Sequence, residues 1–332
     1  PGFPGSPSLM RRRPWLLGLM AMAGGAPGLA EGVASRLAER RPLPFPPPLG
    51  DGSRVVAIAP GTWWENPKEE AERLRARCAA AGWSLSVDPS IQGRWRWFSE
   101  PDGERLRRLR QAMEDPSVAA VMSVAGGWGS ARILERGWRP PRQPRWLVGF
   151  SDASALLLAQ CAAGVGGAVH ASLGGDGVAW DRLQRLLSGK VVDPLRGVGW
   201  RSGLAVGPLV VSNLTVATSL IGTPWFPRLA GCVLVLEDVG EEPYRVDRML
   251  TQWRTSGVLQ GIGGVGLGRF RWKEEDVLPG DLSMEEVLRD RFSDLGVPVV
   301  GQLPVGHGQP NLALPLGRLA RLDGDRGTLD LV

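Results

Sequence analysis

Short apolar runs alternate with amphipathic helical segments from Arg54 onward, and this alternation limits the folds open to the chain. Residues 55–59 are wholly apolar, which is typical of a buried parallel strand. Residues 68–81 then carry apolar side chains at helical spacing, and Gly82 ends the segment. The same reasoning predicts strands over 84–87, 118–124 and 146–148, and helices over 102–113 and 151–163. Such alternation predicts a doubly wound parallel sheet up to about residue 172.

A second α/β unit is predicted in the C-terminal part of the chain. Its expected strands cover 231–236, 265–270, 297–300 and 312–314, and its expected helices cover 244–255 and 283–295. Residues 174–203 are rich in glycine and show little periodicity, so we predict an interdomain crossing there. The predicted fold class is α/β, with an N-terminal doubly wound parallel-sheet domain (51–173) and a smaller C-terminal α/β domain (204–332).

Residues 1–50 are predicted to lie outside this fold. They hold 10 of the 28 prolines, and those between 42 and 48 indicate a stiff, extended connector. Residues 10–30 have a basic start, a short apolar run and small residues, as secretory signals do, and Arg12-Arg13 resembles a twin-arginine export motif. The alternative is a disordered or untranslated leader, with translation starting at Met10.

Composition excludes several classes of protein. A hydrophobic content of 43% rules out a polytopic membrane protein and a disordered chain. Residues 1–50 contain six arginines and two glutamates, so +4 of the net charge of +5 lies there and nucleic acid is not an expected partner. Three widely spaced cysteines offer neither a disulfide framework nor a zinc knuckle. Two histidines exclude a histidine-rich metal site.

The two histidines are the candidate bases. His307 stands between Gly306 and Gly308 at the exit of an apolar strand, where glycines permit a sharp turn and leave the ring uncovered. That environment suits a proton shuttle near neutral pH, although a structural role is equally open. His170 is expected near a strand end and is interpreted as a hydrogen-bonded structural imidazole.

A serine follows a glycine-rich strand exit at residues 124–134. Three glycines precede Ser130, which opens a predicted helix, so the turn would lift its hydroxyl above the sheet edge. Backbone N–H groups at the helix start, including that of Ala131, could receive an oxyanion. The arrangement imitates a nucleophile elbow without the G-x-S-x-G spacing. A helix cap and a phosphate-binding loop are the alternatives.

Acidic residues follow the predicted strand 231–236. Glu237 comes directly after it, where a carboxylate can orient an imidazole. Asp238, Glu241 and Glu242 compete for that role on spacing alone, and an acidic loop that caps the next helix is the alternative.

A G-x-G-x-x-G pattern occurs at residues 261–266. The dinucleotide fingerprint requires a preceding strand and a following helix, whereas these glycines run through a predicted strand. Close packing of strands is therefore favoured over cofactor binding.

Five motifs together resemble the LD-carboxypeptidase family of serine peptidases, which includes muramoyltetrapeptide carboxypeptidases and microcin C self-immunity peptidases. In chain order they are GGWGSARIL (126–134), VGFSD (148–152), SNLT (212–215), LEDV (236–239) and Gly306-His307. The resemblance extends from about Arg54 to the C-terminus and does not include residues 1–50.

The resemblance implies a Ser-Glu-His triad divided between two domains, with the active site between them. Carried over by motif, Ser130 is the nucleophile, Glu237 orients the imidazole and His307 is the base. Backbone N–H groups near Gly127 and Ala131 would then hold the oxyanion. The implied reaction releases a C-terminal D-amino acid, typically D-alanine, from peptidoglycan tetrapeptides through an acyl-enzyme, without cofactor or metal.

The substrate is less constrained than the chemistry. Tryptophans 63, 64, 95, 97 and 128 could line an aromatic cleft and favour an aminoacyl-nucleotide substrate, as in the microcin immunity branch, although each alone is more typical of a core. A non-catalytic muropeptide-binding protein is a further alternative. The expected partner is a peptidoglycan-derived peptide, with no nucleic acid and no integral membrane span, and a homodimer stays open. The location would be cytoplasmic, as in the family, or periplasmic if residues 10–30 act as an export signal.

Overall fold

Two β-sheets, one largely parallel and one mixed, form the framework of the protein. A computed structural model describes residues 42–175, 177–273 and 280–332. The predicted export signal at residues 10–30 lies outside the described residues. In the described ranges, no helix is long and apolar enough to cross a membrane.

The strands in chain order are β1 Arg54–Ile58, β2 Ser84–Val87, β3 Ala120–Ser123, β4 Trp146–Gly149, β5 Ala168–His170, β6 Leu195–Arg196, β7 Val198–Arg201, β8 Leu204–Asn213, β9 Val233–Val239, β10 Gly264–Arg271, β11 Val299–Gly301, β12 Leu314–Pro315, β13 Leu319–Asp323 and β14 Thr328–Leu331. The helices are α1 Pro67–Ala80, α2 Asp102–Glu114, α3 Ser130–Glu135, α4 Ser154–Ala162, α5 Gly177–Leu187, α6 Leu214–Leu220, α7 Pro243–Thr255 and α8 Met284–Phe292. Two 3₁₀ turns cover Pro89–Gln92 and Ser151–Ala153.

The first sheet has the order β2-β1-β3-β4-β5-β12. Its first five strands run parallel, and β12 joins β5 in the antiparallel sense. Every residue of β3 and β4 is buried, because helices cover both faces of a doubly wound sheet. The carboxyl ends of β1, β3 and β4 meet at one edge, which is where ligands bind in open α/β sheets.

The second sheet has the order β6-β14-β13-β8-β9-β10-β11-β7. Strands β8 to β11 are parallel and form its centre, and antiparallel strands flank them on both sides. The predicted α/β class, with a parallel sheet and a second sheet domain, is therefore confirmed. The domain boundaries stay a prediction.

Two regions differ from the expected pattern. The segment interpreted as a crossing contains α5, in which Trp180, Leu183 and Leu187 are buried at helical spacing, followed by β6 and β7. Strand β8 is also not predicted, because Gly207 and Pro208 interrupt its pattern. A Cβ at Gly207 would lie 2.1 Å from the carbonyl oxygen of Gly231, so only glycine fits there.

A continuous apolar cluster joins α4 to the second sheet. The described residues fall within one compact unit, and this cluster includes Leu157 of α4, Val211 of β8 and Leu236 of β9. Burying such a side chain contributes roughly 1.5–3 kcal/mol. Helix α4 begins directly after the turn at Ser151, so its burial holds that turn against β8 and β9.

Gly266 of the G-x-G-x-x-G pattern and the nearby Gly268 serve strand packing. A Cβ at Gly266 in β10 would lie 2.7 Å from Leu303 and 3.0 Å from Val235. At Gly268 it would lie 2.5 Å from the carbonyl oxygen of Val305 and 3.2 Å from Cβ of Glu237. These contacts agree with the interpretation of close strand packing at the centre of the second sheet.

Candidate active site

A strained turn after β4 presents the hydroxyl of Ser151. Ser151 has φ +58°, a left-handed conformation that costs energy for a residue with a Cβ and clusters at functional sites. A Cβ at Gly149 would lie 2.7 Å from Cβ of Ala153, so the turn needs small residues on both sides of Ser151. A strand, a strained serine and then a helix form the geometry of a nucleophile elbow.

His307 stands between Ser151 and Glu237. Its Nε2 atom lies 3.2 Å from Oγ of Ser151, and its Nδ1 atom lies 2.8 Å from Oε2 of Glu237. The backbone N–H of His307 also donates to Oε2 of Glu237 at 3.1 Å. Glu237 is fully buried in β9, whereas Ser151 and His307 are partly exposed. This is the order of contacts in a serine–histidine–carboxylate triad.

The loop that carries His307 is shaped by Gly306. Gly306 has φ +102°, and a Cβ there would lie 2.6 Å from Cβ of Glu237. Its backbone N–H donates to Oδ1 of Asn311 at 2.9 Å. Arg269 donates to the carbonyl oxygens of Gln309 and Pro310. Glycine therefore lets the loop approach Glu237, and the polar contacts hold the imidazole in place.

Glu237 remains ionised despite its burial. Burial by itself raises the pKa of Glu237, but contacts with His170 and His307 outweigh it and hold the pKa at about 2. Burial raises the pKa of the adjacent Asp238 to about 6, although Thr215 and Val239 donate to its carboxyl group. Over the described ranges, no group of three or more His, Cys, Asp or Glu side chains is placed to hold a metal ion.

Ser130 occupies a different place from the one predicted for the nucleophile. It begins α3, is completely buried, and forms no hydrogen bond with His307. Its backbone N–H donates to Oδ2 of Asp152 at 2.9 Å, and that of Gly129 donates to Oδ1 at 3.2 Å. The hydroxyl that faces His307 belongs to Ser151, after the neighbouring strand, so the geometry disagrees with the predicted role of Ser130.

The sequence carries a signal for Ser151. Gly149-Phe-Ser151-Asp-Ala153 is a G-x-S-x-G pattern with alanine in place of the second glycine, and it directly follows an apolar strand. The glycine-rich exit before Ser130 resembles an anion-binding turn more strongly. Both serines open helices at the same edge of one sheet, and of the two it is Ser151 whose hydroxyl contacts His307.

The glycine-rich loop after β3 covers the Ser151 turn. A Cβ at Gly126 would lie 2.9 Å from Cβ and 3.0 Å from Oγ of Ser151. The Gly126 carbonyl accepts the N–H of Thr62 at 3.2 Å, and Gly127, with φ +82°, packs against the Thr62 side chain. Gly127 thus lies beside the turn, whereas Ala131 follows Ser130 within α3. The predicted oxyanion role of Ala131 depended on Ser130.

Buried Arg105 fixes the loops around the site. It donates to the carbonyl oxygens of Glu100 and Gly129 at 3.0 and 2.9 Å, and also to that of Pro60. Asp102, which also pairs with Arg132, balances its charge. A guanidinium serves here because its donors point in several directions from one plane.

The comparisons with known proteins identify the family. The sequence model of the LD-carboxypeptidase N-terminal domain matches residues 54–171, and that of the LD-carboxypeptidase C-terminal domain matches residues 206–322. This chain belongs to the LD-carboxypeptidase family. The resemblance stated from the five motifs is thereby confirmed, and the chain is a member of a peptidase family.

Two relatives of this chain match it over nearly their whole length. A Synechocystis protein with a carboxypeptidase name is 40% identical over 296 residues, which cover 86% of this chain and 97% of that protein. The murein tetrapeptide carboxypeptidase of Pseudomonas aeruginosa is 33% identical, with coverage of 82% and 94%.

Solved structures share the fold. The muramoyltetrapeptide carboxypeptidase from Oxalobacter formigenes superposes with a TM-score of 0.71 at 27% identity, covering 83% of this chain and 98% of that one. The microcin C7 self immunity protein MccF, in its wild-type apo state, gives a TM-score of 0.76 at 18% identity, with coverage of 87% and 98%.

The five tryptophans considered for a cleft differ in exposure. Trp63 is partly buried, and the guanidinium carbon of Arg94 lies 4.8 Å from its ring centroid. Trp64 is buried and donates its indole N–H to the carbonyl oxygen of Val124 at 2.9 Å. Trp95, Trp97 and Trp128 are 39%, 71% and 49% exposed. Trp128 belongs to the loop that covers the Ser151 turn.

Proposed function

We propose that this protein is a serine carboxypeptidase that releases C-terminal D-alanine from murein tetrapeptides, with Ser151 as its nucleophile. The observation that carries the proposal is the continuous contact from Ser151 through His307 to Glu237. The substrate class is supported by the similarity to murein tetrapeptide carboxypeptidase over most of both chains. Ser151 replaces Ser130 in this role.

The proposed reaction uses the three side chains in sequence. Nε2 of His307 accepts the hydroxyl proton of Ser151 as Oγ attacks the carbonyl carbon before the terminal D-alanine. Glu237 accepts the Nδ1–H of His307 and stabilises the imidazolium that forms. The C–N bond then breaks, the imidazolium proton passes to the leaving amine, and an ester to Ser151 remains. Water, deprotonated by His307, hydrolyses that ester and restores the Ser151 hydroxyl.

The oxyanion would be held by backbone N–H groups on two sides of Ser151. In a nucleophile elbow, one donor is the residue after the nucleophile, which here is Asp152 at the start of a 3₁₀ turn. The second donor is Gly127, in the loop that contacts Ser151. The carboxyl group of Asp152 accepts from Gly129 and Ser130, so it ties this loop to the nucleophile turn.

The direct test is incubation of the purified full chain with a murein tetrapeptide and mass detection of released alanine. We expect release from the peptide that ends in D-alanine and none from the same peptide ending in L-alanine. A folded protein, with a cooperative thermal transition, that leaves the D-terminated peptide intact would contradict the proposal. Binding of the peptide without turnover would instead favour the non-catalytic muropeptide-binding protein.

An aminoacyl-nucleotide-like substrate is the second candidate, because three tryptophans are exposed and bases stack on indole rings. Its assay is hydrolysis of a peptidyl-adenylate by the same preparation. Faster turnover of the adenylate than of the tetrapeptide would favour this candidate. Both candidates use the same three side chains.

Gly126→Ala should lower turnover while the protein remains folded. The added methyl group would lie within 3.0 Å of Oγ of Ser151, so the serine or the loop must shift. A displacement of about 1 Å at a reacting group can cost roughly 100-fold in rate. The matched control is Gly103→Ala in α2, where a Cβ would meet no atom within 4 Å and activity should be unchanged. Equal kcat for the two variants would contradict the proposed contact.

A further inference from the structure

A second buried imidazole faces the carboxyl group of Glu237. His170 is the last residue of β5 and is wholly inaccessible to solvent. Its Nε2 atom lies 3.8 Å from Oε1 of Glu237, which is close but longer than a hydrogen bond. Within the described residues, neither ring nitrogen of His170 has a hydrogen-bond partner, and neither does Oε1 of Glu237. The sequence interpretation of a hydrogen-bonded structural imidazole does not describe this arrangement.

The two imidazoles also contact the same aromatic ring. Phe150 precedes Ser151, and its ring centroid lies 5.2 Å from that of His170, edge to face, and 4.4 Å from that of His307. His170 pairs with Gly149 in the parallel register of β4 and β5. It therefore adjoins the nucleophile turn on one side and the carboxyl group that orients His307 on the other.

We propose that His170 is a positioning residue, which directs its Nε2–H at Oε1 of Glu237 and thereby fixes the carboxylate that orients His307. An ionised carboxylate inside a protein is costly unless donors satisfy both of its oxygens. Oε2 has two donors from His307, while the nearest donor recorded for Oε1 is His170. The consequence for turnover rests on the proposed function, whereas the contact itself does not.

The charged groups near Glu237 determine the effect of removing His170. The titratable groups recorded against this carboxyl are His170, His307 and Asp238, and the last accepts its own hydrogen bonds from Thr215 and Val239. Removing the Nε2–H of His170 leaves the negative charge of Glu237 to act undiminished on His307. The protonated form of the His307 ring then becomes more favourable relative to the neutral form.

The chain contains only two histidines, so imidazole NMR needs little assignment. In the ¹⁵N-histidine-labelled full chain, the ring of His170 should be protonated on Nε2 and not on Nδ1 at neutral pH. In His170→Phe, the one remaining ring should titrate at a midpoint higher by roughly 0.5 pH unit or more than His307 in the unsubstituted chain. His170→Gln presents an N–H near the Nε2 position, so the midpoint of His307 should return most of the way to its value in the unsubstituted chain.

His170→Asn is the matched control, because its amide nitrogen falls near the Nδ1 position and should not restore the midpoint. If His170→Phe does not fold, the comparison of the Gln and Asn variants carries the test. An unchanged midpoint in a folded Phe or Asn variant, or a His170 ring protonated only on Nδ1, would overturn the proposal.

Steady-state kinetics of the His170 variants provide a second, independent test of the proposal. His170→Phe should lower kcat on the tetrapeptide about tenfold with little change in KM, and His170→Gln should recover most of it. Equal losses in the Gln and Phe variants would indicate a purely structural role and contradict the proposal. An inactive unsubstituted chain would refute the proposed function alone, since the titration decides the role of His170 without substrate.

Discussion

Replacing Ser151 by alanine is expected to lower kcat on a murein tetrapeptide by about 10⁴-fold or more, while substrate binding changes little. The variant removes the hydroxyl that contacts Nε2 of His307, at 3.2 Å. Members of a triad act as a unit, and loss of the nucleophile alone removes most of their joint effect. Single-turnover mass detection of released D-alanine measures this loss.

Ser130→Ala is the matched control, because both serines open helices at the same edge of the first sheet. The Ser130 hydroxyl is buried and has no hydrogen bond to His307, so its loss should leave kcat within a few-fold of the unsubstituted chain. Its backbone N–H can still donate to Asp152 in the variant. An inactive Ser130→Ala together with an active Ser151→Ala would return the nucleophile role to Ser130. The double variant Ser151→Ala/His307→Ala should be no slower than either single variant.

Glu237→Gln is expected to lower kcat by about 10⁴-fold without displacing His307. The amide that replaces Oε2 can present an NH₂ group to Nδ1 and so select the tautomer in which Nε2 carries the proton. That tautomer cannot accept the proton of Ser151. The kcat of the Gln variant, with circular dichroism to confirm its fold, measures the effect. A variant that keeps more than about a tenth of the activity would contradict the orienting role of Glu237.

The same substitution changes the pH dependence of stability. Because the pKa of Glu237 falls from 4.5 to about 2 on folding, its stabilising contribution is complete above pH 4.5 and is lost as the pH falls towards 2. Glu237→Gln should therefore weaken the acid dependence of the urea-unfolding free energy in this window. Asp238 has the opposite sign, since its pKa rises from 3.8 to about 6 and its contribution declines as the pH rises through that interval. Asp238→Asn should remove that decline, so the two variants serve as controls for each other.

Much of the fold follows from local pattern. The wholly apolar runs at β1 and β9 and the amphipathic spacing of α1 and α7 predict these elements closely. The local sequence pattern is less informative where the choice of residue depends on contacts with parts of the chain that are distant in sequence. Strand β8 contains Gly207 where the carbonyl oxygen of Gly231 approaches closely, and this need for glycine arises only in the assembled structure.

The residues of the candidate site also differ in whether the sequence or only the tertiary structure identifies them. His307 is marked locally by the two glycines that flank it. Glu237 shares its local pattern with the neighbouring acidic residues, and the family resemblance singles it out. Ser151 and Ser130 both follow parallel strands and both open helices, and each has a local signal of its own, a G-x-S-x-A pattern for Ser151 and a glycine-rich strand exit for Ser130. His170 is an ordinary strand residue until the second sheet brings Glu237 against it.

By itself, the sequence determined an α/β fold through the periodicity of its apolar and polar residues, and its short motifs determined the family resemblance. That resemblance implied two of the three side chains proposed for catalysis, Glu237 and His307. Those features depend on periodicity and short motifs, which act over a few residues. Tertiary structure alone decided which serine meets His307 and which imidazole faces Glu237. These contacts join residues 156 and 67 positions apart, and a hydrogen bond or ion contact depends on the positions of atoms in space rather than on their separation along the chain.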